Sequence, residues 1–229
     1  MTLNRSSLAC AAVFLALISI SSATDWPAGF SVPKSTLSPD GRFGVLAPDE
    51  AHYSDERPQN KLVEVATGRV LAIIQAETGM EQMNHGGAAP RWSADGSLLL
   101  WKVEGKWSPR ALVLLRIHEG NVAWQVNILK QAQRATLIRT RKAQPKAYAA
   151  ARDFNKGNGS AYPEGFTIEV TTPVDNEKPV GVPLAVHARL TPDPKGLEDF
   201  PKTAKLYAKL DAVVTADGKF VVEKFSASR

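Results

Sequence analysis

The chain has 229 residues, 44% of them hydrophobic, with a formal net charge of +5, and is long enough to bury a core as one large domain or two small ones. Its single cysteine, Cys10, lies near the N-terminus, which excludes disulfides, thiolate zinc sites and cysteine nucleophiles from everything that follows. The positive charge is local: Lys130 to Lys156 carries eight cations against one anion, Asp153, so the basicity belongs to one segment rather than to the whole chain.

The first element is an export signal. Arg5 stands in a short polar start, an apolar run extends from Leu8 to Ile20, and the small residues Ser21 and Ala23 sit at cleavage spacing. The run is about 13 residues, short of the roughly 20 needed to cross a hydrocarbon core. Residues 1–23 are therefore expected to be removed, leaving a soluble exported protein, periplasmic or secreted, with no transmembrane span. Cys10 precedes most of the apolar run, which argues against lipidation there.

Two stretches then share a pattern. Thr36 to Leu46 is followed by Lys61 to Ile74, and Arg91 to Trp101 by Ala111 to Val126. Each places an Asp-Gly turn (Asp40-Gly41, Asp95-Gly96) before an apolar strand and a later turn (Thr67-Gly68, Glu119-Gly120) between two more strands. The two Asp-Gly pairs lie about 55 residues apart, which reads as an internal repeat. The turns Ser38-Pro39-Asp40-Gly41 and Trp92-Ser93-Ala94-Asp95-Gly96 resemble those of TolB-type and WD-type β-propeller blades over about residues 36–128. That resemblance implies two blade-like antiparallel sheets, although a closed propeller usually needs four or more blades.

After Ile128 the pattern changes. Ile128 to Ala143 contains no turn residue and predicts a helix, with Ile128, Leu129, Ala132 and Ala135 on the packing side. Pro145 is an acceptable start for a second helix over Gln144 to Phe154, which Asn155 to Ser160 should stop. Four extended segments follow: Phe166 to Thr172, Val182 to Thr191, Lys205 to Val214 and Lys219 to Phe225. In the third, Leu206, Ala208, Leu210, Ala212 and Val214 alternate with Tyr207, Lys209, Asp211 and Val213, and Ala216-Asp217-Gly218 turns it into the fourth. The element order resembles the cystatin-like or NTF2-like class. The expected architecture is mainly β, with a blade-like region over 24–128 and an α+β region over 129–229.

Candidate chemistry is sparse. His52, His85, His118 and His187 are widely separated and form no HxH or HExxH pair for a metal. No GxSxG elbow occurs. Asp49, Glu50, Asp55 and Glu56 cluster with His52 and Tyr53 in one loop, and such carboxylates could serve glycoside hydrolysis if held across a cleft. Asp153, Asn155 and Glu164 match positions one, three and twelve of an EF-hand-like calcium loop, but Gly157 and Asn158 do not fit the fifth and sixth. Trp92, Trp101 and Trp124 fall on strands and are expected in the core, whereas Trp107 falls in a turn as the candidate exposed aromatic.

These features favour an exported binding or interaction protein of the envelope or extracellular space, without catalytic residues, metal or cofactor. Its ligand surface would comprise Trp107, Arg134, Arg139, Arg141 and Lys142. The partner would be a protein or an anionic envelope component, lipid or glycan; export argues against nucleic acid. The alternatives are a secreted glycan-acting hydrolase and a structural envelope protein.

Overall fold

A computed structural model describes residues 26–48, 60–74, 88–104, 109–160, 162–174, 179–192 and 205–229. The protein is mainly β. Three four-stranded antiparallel sheets follow one another along the chain, and two helices separate the second from the third. The first sheet comprises β1 (Phe30–Ser31), β2 (Phe43–Pro48), β3 (Lys61–Glu64) and β4 (Arg69–Ile73), in that spatial order. The second comprises β5 (Arg91–Trp92), β6 (Leu98–Val103), β7 (Ala111–His118) and β8 (Asn121–Asn127), again in sequence order.

The Asp-Gly turns enter these two sheets with the same hydrogen bonds. Ser38 and Ser93 each donate from Oγ to Oδ1 of the aspartate two residues on, at 2.6 Å in both cases. Each aspartate Oδ1 also accepts the N–H of the residue after the glycine, Arg42 or Ser97, at 3.0 Å. Each serine Oγ accepts the first N–H of the following strand, from Phe43 at 2.9 Å and from Leu98 at 2.8 Å. Gly41 and Gly96 take φ of +70° and +69°, a region costly for residues with a Cβ. The repeat legible in the sequence is thus a repeat of turn chemistry and of strand order.

The two sheets stack. Phe43, Val45 and Leu62 of the first form one core with Leu99, Trp101, Val113 and Leu115 of the second. Polar bridges fix the edges: Arg69 Nη2 donates to the Gly120 carbonyl at 2.8 Å, Gln125 Nε2 to the Ile73 carbonyl at 3.2 Å, and Trp92 Nε1 to the Thr36 carbonyl at 3.1 Å. Of the tryptophans expected inside, Trp101 is fully buried, while Trp92 and Trp124 are only partly so. They lie at sheet margins, Trp92 tying the stack and Trp124 receiving a turn from the third sheet.

The opposite face of the second sheet is also covered. Leu98, Leu100, Leu112, Leu114 and Val126 join a second core with both helices and the third sheet. This explains why β6 and β7 are apolar almost without alternation: residues on both faces leave water. The helices are α1 (Ile128–Ala143) and α2 (Pro145–Gly157). The third sheet contains β9 (Phe166–Thr171), β10 (Leu184–Pro192), β11 (Tyr207–Val214) and β12 (Phe220–Ser228), ordered β12-β11-β10-β9. Its alternating inner residues, among them Ile168, Val186, Leu190, Ala208 and Leu210, complete this core. Helix α2 runs three residues beyond its expected end at Phe154, because Asn155 is itself buried in its last turn and chain reversal waits for Asn158 and Gly159. No described helix is long and apolar enough to cross a membrane.

Candidate functional site

Helix α1 begins where β8 ends. Asn127 caps it by accepting the Lys130 N–H at 2.9 Å, which satisfies one of the free amides of the first turn. Ile128, Ala132, Thr136 and Thr140 are buried at helical spacing. The two threonines sit there without polar cost, since their hydroxyls donate to the carbonyls of Ala132 and Thr136, each at 2.7 Å. With that side against the core, Lys130, Arg134, Arg139, Arg141 and Lys142 are all left exposed, and Lys146 continues the series at the start of α2.

Charge balance separates the ends of the basic segment from its middle. Arg152 pairs with Asp153 at 2.7 Å, and Lys156 Nζ donates to the Ser160 carbonyl at 3.1 Å. Among the described residues no carboxylate stands within 4.0 Å of Arg134, Arg139, Arg141, Lys142 or Lys146. Arg141 and Lys142 lie in the last turn of α1, where the helix dipole favours cations. Lys130 and Arg134, four apart, repel by about 0.2–0.5 kcal/mol. Ile138 interrupts the cationic stripe and is 46% exposed.

On the buried side of α2, Tyr148 donates from its hydroxyl to Glu164 Oε2 at 3.2 Å and packs its ring 5.0 Å from that of Phe166. Burial, followed by the Glu164 carboxylate, pushes the phenol well above its ordinary range, so it remains a neutral structural donor. Glu164 is thereby turned to Tyr148, Asp153 lies in the helix beside Arg152, and Asn155 is fully buried with its side-chain amide unpartnered. The partial calcium-loop match over Asp153 to Glu164 does not correspond to such a loop, because its first five positions are helical. Among the described residues no group of three or more His, Cys, Asp or Glu could hold a metal ion.

Trp107 and the carboxylates Asp49, Glu50, Asp55 and Glu56 lie outside the described residues, as do His52 and His85. His118 is exposed at the end of β7, beside Glu119. His187 holds an arrangement that spacing alone did not reveal: its Nδ1 is 2.8 Å from Asp211 Oδ1 across neighbouring strands. That pair lies on the outer face of the third sheet, and the signal for it was the polar half of the alternation through Tyr207, Lys209 and Asp211. No protein-family model, curated protein or solved structure matches the chain.

Proposed function

We propose that the protein is an exported binding protein that docks on anionic membrane surfaces of the envelope through the exposed face of α1. The observation carrying this reading is the group of cations at Arg134, Arg139, Arg141 and Lys142, none with a carboxylate partner among the described residues. Unpaired, clustered cations attract a negative surface over a Debye length, and each contributes about 1 kcal/mol at an anionic bilayer. Ile138, exposed within that stripe, favours a lipid headgroup layer over a wholly hydrophilic polyanion.

The test replaces Arg134, Arg139, Arg141 and Lys142 together by glutamine and compares retention on phosphatidylglycerol vesicles at low and moderate salt. Losing four such cations predicts at least about a tenfold drop in partitioning at low salt, with unchanged circular dichroism. Equal retention of the folded variant and the parent at both salt levels, or no retention of the parent, overturns the proposal.

A further inference from the structure

The outer face of the third sheet points away from α1 and carries a second, independent concentration of binding groups. Along neighbouring strands, Glu169, Arg189, Lys209 and Ser226 form one cross-sheet row in register. Arg189 and Lys209 are direct partners on β10 and β11 and both are exposed. Arg189 therefore stands between a like charge, Lys209, and an opposite one, Glu169 of β9; the first pairing costs the sheet stability and the second offsets part of that cost. Neither cation makes a side-chain hydrogen bond or ion pair with any described residue. Asp211, two residues along β11, is instead engaged by His187. Around the two cations the surface dips into a depression of about 430 Å³ lined by Arg189, Tyr207, Lys209, Ser226 and Ser228. Tyr207 is 38% exposed and stands directly opposite Ser228 of β12, as Lys209 stands opposite Ser226.

We propose that this depression is a binding site for a saccharide bearing a phosphate or sulfate ester. Cβ atoms of directly opposed residues stand only about 4.5–5.5 Å apart, so the guanidinium and the ammonium can reach one tetrahedral oxyanion together. Such an anion replaces a repulsive pair with charge-assisted hydrogen bonds. The two chemical halves of the ligand follow from the lining. The cations take the ester oxygens, while the Tyr207 ring offers an apolar face to a pyranose and the serine hydroxyls pair with its hydroxyls. An exposed site of this size is suited to weak, reversible recognition of a terminal group on a longer glycan. The inference does not depend on α1, which packs against the opposite face of the same sheet.

The test is an amide chemical-shift titration of the full protein with glucose 6-phosphate, glucose 6-sulfate, inorganic phosphate and glucose at fixed ionic strength. Saturable shifts centred on Arg189, Tyr207, Lys209, Ser226 and Ser228 are expected for one or both sugar esters, with dissociation constants in the millimolar range. Which ester saturates first distinguishes phosphate from sulfate. Arg189→Gln and Lys209→Gln should each weaken binding about tenfold, and both sites are exposed enough to tolerate the change. Tyr207→Ala should weaken the sugar esters while leaving inorganic phosphate unaffected. The proposal is overturned by an absence of saturable shifts at about 10 mM ligand, by affinity that survives both cation substitutions, or by shifts confined to α1. Inorganic phosphate binding as tightly as both esters overturns the saccharide assignment.

Discussion

Gly218 closes onto the indole of Trp124: a Cβ placed on the glycine would stand 2.7 Å from both Cγ and Cδ2 of the ring. The contact joins the Asp217-Gly218 turn of the third sheet to the second sheet, where Arg116, the cross-strand partner of Trp124, donates to the Ala216 carbonyl at 3.2 Å. Gly41 has a similar positive φ but nothing within 4 Å of such a Cβ. Gly41→Ala should therefore lose about 1 kcal/mol from backbone strain alone. Gly218→Ala should lose that plus about 1–3 kcal/mol of overpacking. Urea unfolding of the two variants measures the difference, and equal losses would contradict the contact.

Acid should expose the work of the Asp-Gly turns. The Ser93 hydroxyl first, then the Ser97 N–H and hydroxyl, hold the Asp95 carboxyl down to about 2. A depressed folded value means the ionised turn stabilises the protein above the unfolded carboxylate range near 4, and that this stabilisation is lost as pH falls from about 4 to about 2. Asp95→Asn is expected to cost about 1 kcal/mol at neutral pH. The gap between parent and variant in thermal or urea unfolding should close across that acid window. A gap that stays constant down to pH of about 2 would mean the carboxylate contributes nothing through its charge.

The second sheet should be intolerant on both faces. Leu112 belongs to the core shared with the helices and the third sheet, and Leu115 to the core shared with the first. Leu112→Ala and Leu115→Ala should each cost about 2–5 kcal/mol. Were either face open to solvent, one of the two would fall within about 0.5 kcal/mol of the parent in chemical denaturation.

Much of this architecture was legible because it is written in local chemistry. Asp40-Gly41 and Asp95-Gly96 announce their turns through a short acceptor followed by a residue that accepts positive φ. The alternation from Leu206 to Val214 announces one buried face. The α1 boundary at Ile128 is similarly visible, since turn residues stop there. Long-range facts were not visible. The stacking that leaves Trp124 at a margin depends on contacts between sheets, and the meeting of His187 with Asp211 on the register of β10 against β11; the helical capture of Asp153 and Asn155 depends on the burial of Asn155 in the last turn of α2, and no local pattern encodes any of the three. Of the proposed ligand surface, the exposure of Arg134, Arg141 and Lys142 followed from helical period, whereas Arg139, four residues after Ala135, falls on the packing side by period and is exposed all the same. Arg189 beside Lys209 was not visible either, because opposing like charges are recognised only once the strands are paired.

Sedimentation of the parent protein with vesicles of increasing phosphatidylglycerol content, at about 50 mM and about 200 mM salt, tests the membrane-docking proposal most directly. Retention should be negligible on neutral phosphatidylcholine, rise steeply with anionic fraction at the lower salt, and fall markedly at the higher. Equal retention on neutral and anionic vesicles, or none on anionic vesicles at the lower salt, would contradict it.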